Sequence, residues 1–346
     1  MSKFIRYITP VGKRDAAGVV SRVYEQSAHD LGRLAEPIMI LSPAPDILAG
    51  YWALMREANV IGQAPRAHKE AVAAVISQVN SCPWCADTHT GVVYAAGEPR
   101  LADLIRHTDP MLDDGPWRDN PVRPLLEWAA ATRTPGSPAL NPPPFPPQHA
   151  AEYIGTALAF HFLNRMVSAL LVETFLPSNR RISGWILKGF AQTLKTTVRR
   201  ERKPGTSLDV IEQHVAGTDP PAWAAGAPFI GTAAAALKAA SLREPEALSG
   251  PSAKAVTAWM ESWDGNDPGI GPWVVEATEG VPEAEQPAAR LALLAGIAPY
   301  RITDDHVASF RRTRPDDSDL VRLLAWGAML AVQRIEDWIT HPAEAC

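Results

Sequence analysis

Apolar residues recur at intervals of three and four positions along most of the chain, which is the period of an α-helix. Stretches that alternate apolar and polar residues, as half-buried strands do, are scarce. In the segment RAHKEAVAAVISQVN, the residues Ala67, Ala71, Ala74 and Val75 fall on one helical face. We therefore predict an all-α protein. The predicted helices span residues 15–36, 46–58, 66–80, 121–133, 150–176, 182–202, 229–241, 253–263, 286–298, 303–312 and 318–339, and another begins at residue 82.

The longest apolar stretch, AEYIGTALAFHFLNRMVSALLVETF at 151–175, predicts a buried helix. Its polar and charged residues would be costly in lipid, so we do not interpret it as a membrane span. Within it, His161 and Arg165 share one helical face. A buried arginine needs a partner, and we expect Arg165 to pair with a carboxylate or with the end of a helix.

Two related halves are predicted on either side of a run rich in glycine, proline and alanine at 204–228. Residues 65–93 align without gaps with residues 282–310 and share five identities in 29 positions. We predict an active half at 1–205 and a degenerate half at 206–346.

Only the first of these halves keeps the reactive side chains. His306, the counterpart of His89, has no cysteine near it in the sequence, and we interpret it as a packing or capping residue. The other aligned pairs are Cys82 with Pro299, Cys85 with Ile302 and Glu70 with Pro287.

The composition is that of a soluble globular protein, with 46% hydrophobic and 21% charged residues in a chain of 346. A net charge of -5 gives no general attraction for phosphate backbones, so nucleic acid is not an expected partner. The start of the chain, MSKFIRYITPVGKRD, has no sustained apolar run before its charges and does not predict a secretory signal. We therefore expect a cytoplasmic protein that does not bind membranes.

The residues NSCPWCADTHT at 80–90 carry the strongest chemical signal in the chain. Cys82 followed by Pro83 predicts a helix N-cap and first helical position, which places Cys85 in the first turn. Unpaired backbone N–H groups and the helix dipole stabilise a thiolate there, so we expect a lowered pKa at Cys85. His89 lies four residues further on and shares its helix face. Cys82 is near enough to close a disulfide with Cys85.

Glu70 lies about three helical turns before the cysteine pair. An antiparallel helical hairpin would return its carboxylate toward the two thiols. Its neighbours Ala71, Val72 and Ala74 are apolar, and such surroundings raise the pKa of a carboxyl group. We therefore expect Glu70 to be a usable proton acceptor.

Three other interpretations of the cysteine pair are open. A structural zinc site needs four ligands, so Cys82, Cys85 and His89 would have to recruit Glu70 or the distant Cys346. A thioredoxin-like motif would be surrounded by a βαβ pattern, which the sequence lacks. The two thiols could also be buried and inert. Cys346 is the last residue, and we expect it to be a free thiol outside the mechanism.

The order of these residues resembles the active-site pattern of the alkylhydroperoxidase D (AhpD) family, within the wider carboxymuconolactone decarboxylase-like group. The pattern is Glu70, eleven residues, Cys82, two residues, Cys85, three residues and His89, and the spacing matches at all four positions. The later segment LAFHFLNRMV is also similar to a helix of peroxidase-related members. The resemblance covers about residues 40–176.

The resemblance implies an all-helical, AhpD-like fold that is commonly oligomeric and uses neither haem nor metal. It implies that Cys85 is the peroxidatic thiolate, which becomes a sulfenic acid, and that Cys82 resolves it as a disulfide. Glu70 and His89 would form the proton relay. A dithiol carrier such as dihydrolipoamide would regenerate the pair. Trp84 departs from the pattern of members that have a histidine between the cysteines.

We therefore predict a thiol-dependent hydroperoxide reductase, a peroxidase that takes a hydroperoxide substrate and a dithiol reductant and assembles as a homo-oligomer. The alternatives are a thiol–disulfide adaptor or oxidoreductase, a lactone decarboxylase, and a non-catalytic helical scaffold with a vestigial site. Lactone decarboxylation is disfavoured because it has no need of a vicinal dithiol. A duplicated chain can supply internally a contact that single-repeat relatives make between subunits, so we expect a smaller assembly than theirs.

Overall fold

Fifteen α-helices form the regular structure of this computed structural model, which describes residues 2–107, 117, 119–177, 179–211, 219–269 and 271–341. In those ranges no strand is present beyond an isolated bridge between Ile5 and Leu171. The prediction of an all-α protein is confirmed. The helices are α1 (Gly18–Leu31), α2 (Glu36–Met39), α3 (Pro45–Met55), α4 (Arg66–Val79), α5 (Pro83–Ala96), α6 (Pro99–His107), α7 (Arg123–Ala131), α8 (Pro147–Leu170), α9 (Arg180–Val198), α10 (Pro228–Ser241), α11 (Gly250–Glu261), α12 (Trp273–Glu276), α13 (Gln286–Ile297), α14 (Asp304–Arg311) and α15 (Asp317–Thr340).

The helical period locates every helix of ten or more residues to within a few residues, and it misses three shorter ones. Helices α2 and α12 have only four residues each, too few to show a period. Helix α6 follows closely on Gly97, which ends α5 with a φ of 103°. Beyond α3 the chain continues as a π-helical turn at Arg56–Val60, a feature that apolar spacing does not reveal.

Helices α4 and α5 form an antiparallel hairpin with a very short connection. Cys82 is the N-cap of α5 and Pro83 is its first residue, as predicted. The turn is closed because the backbone N–H of Cys82 donates to the carbonyl of Ser77 at 2.8 Å. Ser81 takes a left-handed conformation with a φ of 52° to make this return possible. The hairpin thereby places the middle of α4 beside the first two turns of α5.

Helix α8 is buried along nearly its whole length, as predicted for this apolar stretch. Its charged residues are paired, because Glu152 accepts from the Lys69 ammonium at 2.6 Å. Arg165 donates from Nε to the carbonyl of Gly296 at 2.7 Å, in the last turn of α13, which confirms the expected pairing with a helix end. Among the described helices, none has both the length and the apolar character needed to cross a membrane.

His306 caps α14. The hydroxyl of Thr303 accepts from the backbone N–H of His306, and Nδ1 of His306 accepts in return from the backbone N–H of Thr303 at 3.2 Å. The interpretation of His306 as a packing or capping residue is therefore confirmed.

The two predicted halves share one hydrophobic core. Helix α3 packs against α10, and a side chain on Gly50 would begin 2.7 Å from the Cα of Leu237. Helices α8 and α15, each of 24 residues, also pack together. The division into 1–205 and 206–346, and the relation of these two segments as a repeat, stay predictions.

The contact between α3 and α10 predicts a large effect of a small substitution. Gly50→Ala should lower the free energy of unfolding by about 1–3 kcal/mol, because the new methyl group would overlap the backbone of Leu237. Urea unfolding followed by circular dichroism measures this change.

The matched control is Gly189→Ala on α9, where nothing lies within 4 Å of the added carbon. This variant should be as stable as the wild type or more stable by about 0.5–1 kcal/mol, because alanine favours the helix. Equal stability of the Gly50 variant and the wild type would contradict the packing described here.

Candidate active site

The two cysteines begin α5 as free thiols. Cys82 is the N-cap, Cys85 is the third helical residue, and each side chain is only 2% exposed. Polar contacts join them, since the thiol and the backbone N–H of Cys85 both approach the Cys82 sulfur. The α4–α5 turn therefore assembles a dithiol that solvent hardly reaches.

The pKa values of the two thiols differ in the direction opposite to the sequence expectation. Burial raises the pKa of each thiol, but at Cys82 contacts from Cys85 and from the Ser168 hydroxyl outweigh burial and lower it. At Cys85 burial and the adjacent Cys82 sulfur raise the pKa well above its ordinary value. The expected lowering at Cys85 is therefore wrong. The thiol and the backbone N–H of Cys85 both favour an ionised Cys82, and an ionised Cys82 disfavours a second negative charge at Cys85.

A polar network lies against the Cys85 side of the dithiol. The amide of Asn164 contacts the Cys85 sulfur and favours its ionised form. The same amide donates to the Ser77 hydroxyl at 3.0 Å and accepts from Asn80 at 2.9 Å. Asn164 thus links α8 to the α4–α5 hairpin.

His161 extends this network and has a structural role. Its Nδ1 lies 3.0 Å from the Asn80 amide nitrogen, and its Nε2 lies 2.8 Å from the Thr132 hydroxyl. Burial first, and then the charges of Arg165 and Arg133, keep its pKa well below the ordinary value. A neutral imidazole with both nitrogens engaged does not serve as an acid or base.

Glu70 and His89 meet across the hairpin. The Glu70 carboxylate is fully buried, and its Oε2 lies 2.5 Å from Nδ1 of His89. Its other oxygen accepts from Nε of Arg66 at 2.7 Å and lies 2.6 Å from Nη2. The ring of His89 also packs edge-on against Phe160, with centroids 4.4 Å apart. Together the carboxylate and the phenyl ring hold the imidazole in one orientation.

The expected rise in the pKa of Glu70 is also wrong. Burial alone would raise it, but the charge of Arg66 and the contacts with His89 lower the pKa to about 2. Glu70 therefore stays ionised and contacts His89 as a carboxylate. Arg66 lies one helical turn before Glu70, a spacing typical of helical ion pairs, so the sequence alone could have indicated it.

A cavity of about 360 Å³ lies beside the Glu70–His89 pair and the dithiol. Glu70, Cys85 and His89 line it, whereas Cys82 is absent from the described lining. The walls are mostly apolar and include Tyr51, Phe160, Leu163, Phe175, Ile186 and Phe190. Of the two cysteines, Cys85 is thus the one that borders the cavity.

Trp84 closes one side of the cavity. Its ring packs edge-on against Phe4, with centroids 5.2 Å apart, and against Phe175 at 4.7 Å. All three rings line the cavity. At this position the Trp84 side chain supplies an apolar part of the cavity wall.

Among the described residues, no group of three or more histidine, cysteine, aspartate or glutamate side chains is arranged to hold a metal ion. Cys346, which we predicted to be a free thiol, lies outside the described residues.

Comparison with known proteins identifies the family of the chain. No family model matches the chain. A protein of Mycobacterium tuberculosis named alkyl hydroperoxide reductase is 40% identical over 343 residues, which cover 99% of this chain and 97% of that protein. Identity at this level over almost the full length of both chains shows common descent and a common fold. The chain belongs to the AhpD-like alkyl hydroperoxide reductase family.

Proposed function

We propose that the protein reduces organic hydroperoxides with the Cys82–Cys85 dithiol, using His89 as the proton carrier and Glu70 to orient it. One observation carries the proposal: Cys85 and His89 line the same apolar cavity, with the imidazole held by a buried carboxylate. The name of the Mycobacterium tuberculosis relative supports the same reaction class.

The first step is the loss of one proton from the dithiol to His89. Coulomb attraction to ionised Glu70 stabilises the imidazolium that results. The remaining proton is shared between the two sulfurs and moves to Cys82 when Cys85 reacts. Cys82 has the lower pKa, but in this proposal only Cys85 meets the substrate. The proton transfer places the negative charge on the sulfur that reacts.

In the second step the Cys85 thiolate attacks the terminal oxygen of the hydroperoxide. A sulfur–oxygen bond forms as the oxygen–oxygen bond breaks, and the sulfur gives up two electrons to become a sulfenic acid. The departing alkoxide takes the proton from His89 and leaves as an alcohol.

The third step joins the two sulfurs. Cys82 attacks the sulfenic sulfur of Cys85, a disulfide forms, and the hydroxyl leaves as water with the proton that Cys82 held. The sum is one dithiol and one hydroperoxide converted to one disulfide, one alcohol and one water. A small dithiol of the dihydrolipoyl type is the proposed reductant that returns the disulfide to the starting state.

The proposed setting is a homo-oligomer in the cytoplasm. Helix α9 supports an association of copies, because Trp185 is 78% exposed and Ile182 is 51% exposed on its surface.

Removal of each sulfur should have a distinct effect. Cys85→Ser should lower kcat/KM for cumene hydroperoxide at least about a thousandfold, since the nucleophile is lost. Cys82→Ser should also stop turnover but should still consume about one equivalent of peroxide, leaving a sulfenic acid at Cys85. A dithiol-coupled peroxidase assay and labelling of the sulfenic acid measure these outcomes.

Cys346→Ser is the matched control and should behave as the wild type. Dithiol exchange without peroxide consumption would favour a thiol–disulfide adaptor instead. Inactivity of the wild type in both assays would favour a scaffold.

The contact between Asn164 and Cys85 predicts a selective change in reactivity. In a Cys82→Ser background, Asn164→Leu should raise the pKa of Cys85, so that the thiol is alkylated about tenfold more slowly at pH 7. Alkylation rates measured against pH by mass spectrometry give this value. Ser168→Ala is the control, because Ser168 contacts Cys82 and should leave the profile of Cys85 in place.

The lowered pKa of Glu70 predicts a dependence of stability on pH. An ionised Glu70 stabilises the fold above pH 4.5, and this contribution is lost as the pH falls from 4.5 toward 2. Between pH 6 and pH 3 the wild type should therefore lose about 2 kcal/mol more unfolding free energy than Glu70→Gln.

Urea titrations at several pH values measure the difference. Glu127→Gln is the control, because Glu127 forms a partly exposed pair with Arg123 that contributes little. Parallel loss of stability in the wild type and in Glu70→Gln would contradict the ionised, buried state of this carboxyl group.

A further inference from the structure

The π-helical turn at Arg56–Val60 forms part of the cavity wall. It continues α3, so that Tyr51, Met55 and Asn59, spaced four residues apart, all line the cavity. Single π-helical turns are rare, and they occur frequently at functional sites. The turn is tied to the candidate active site, because Nη1 of Arg66 donates to the carbonyl of Val60 at 3.0 Å.

Asn59 is the polar residue that this turn places in the wall. The side chain is 1% exposed, and its Nδ2 has no hydrogen-bond partner among the residues that the structure describes. An amide that is buried without a partner is unfavourable, and native proteins rarely keep one without a reason. Binding cavities are typically apolar with a few polar groups that orient the ligand. Asn59 thus combines a place in the cavity lining with an unused donor.

The charged residues around the cavity already have partners. Arg66 binds Glu70, Arg33 binds Glu36 at 2.7 Å, and Asp30 binds Arg56 at 2.6 Å. A charged ligand group would therefore have to displace an existing ion pair. An uncharged oxygen can accept from the amide of Asn59 with no such cost, and the apolar walls suit the remainder of an organic molecule.

We propose that Asn59 is a specificity residue that donates a hydrogen bond to a second, uncharged oxygen in the organic part of a bulky hydroperoxide. The inference rests on the proposed hydroperoxide reductase activity and names the class of substrate for that site. The peroxide group of this substrate reacts at Cys85, while a carbonyl, ester or hydroxyl oxygen elsewhere in the molecule meets the amide.

The test compares two substrates of similar size, p-acetylcumene hydroperoxide and p-isopropylcumene hydroperoxide. Only the acetyl compound has a second oxygen acceptor. The wild type should favour it about tenfold in kcat/KM, which is the effect of one added hydrogen bond. Asn59→Leu should abolish this preference, and the loss should appear in KM with kcat retained, because the contact is equal in the ground and transition states.

Asn59→Ala provides a second variant, since it removes the donor without adding a larger apolar side chain. It should also lose the preference. Gln192→Leu is the control, because this exposed amide on α9 is not part of the cavity lining, and the variant should keep the wild-type ratio. A wild type without a preference, or an Asn59→Leu variant that keeps it, would overturn the inference.

Binding of the two corresponding alcohols to Cys85→Ser separates this inference from the proposed activity. Calorimetry should show the same tenfold preference for the acetyl alcohol, and Asn59→Leu in that background should remove it. Preferential binding without any peroxide turnover by the wild type would support the Asn59 contact and reject the reductase. Turnover of both peroxides without preferential binding would reject the contact and support the reductase.

Discussion

The Glu70 carboxylate carries a negative charge inside the protein, where an ion is stable only with partners close by. Arg66, on the same helix, and His89, on the next one, supply those partners. The Glu70 carboxylate depends on these contacts, because a buried charge without partners is strongly destabilising. This requirement fixes the register of α4 against α5, and that register also determines where the helix N-terminus and its two cysteines lie.

The two sulfurs differ in how well their surroundings stabilise a negative charge and in whether they border the cavity. Cys82 occupies the N-cap, where the first turn of α5 favours a negative charge, whereas Cys85 faces the cavity. In the proposed reaction, a proton shared by the two thiols lets the negative charge that forms at Cys82 act at Cys85. In this arrangement the thiol with the lower pKa, Cys82, lies away from the described cavity lining, which is compatible with the resolving role proposed for it.

Residues beyond the predicted boundary at 205 help to hold the site. Helix α8 contributes Asn164, which touches Cys85, and its neighbour Arg165 is anchored to the carbonyl of Gly296 on α13. Arg133, whose charge helps to keep His161 neutral, donates to the carbonyl of Gly265 at 2.9 Å. The later part of the chain therefore supports the polar network behind the dithiol, although it carries no cysteine pair of its own.

The sequence by itself determined the helical class, the positions of the long helices and the set Glu70, Cys82, Cys85 and His89, because helical period and residue spacing are local properties. It did not determine the pKa of Glu70 or the order of the two thiols, since each depends on contacts made only after the chain folds. The sequence also did not determine the contact between Asn164 and Cys85 or the position of Asn59 in the cavity wall. Each joins helices that are distant in sequence, and their packing decides which atoms meet.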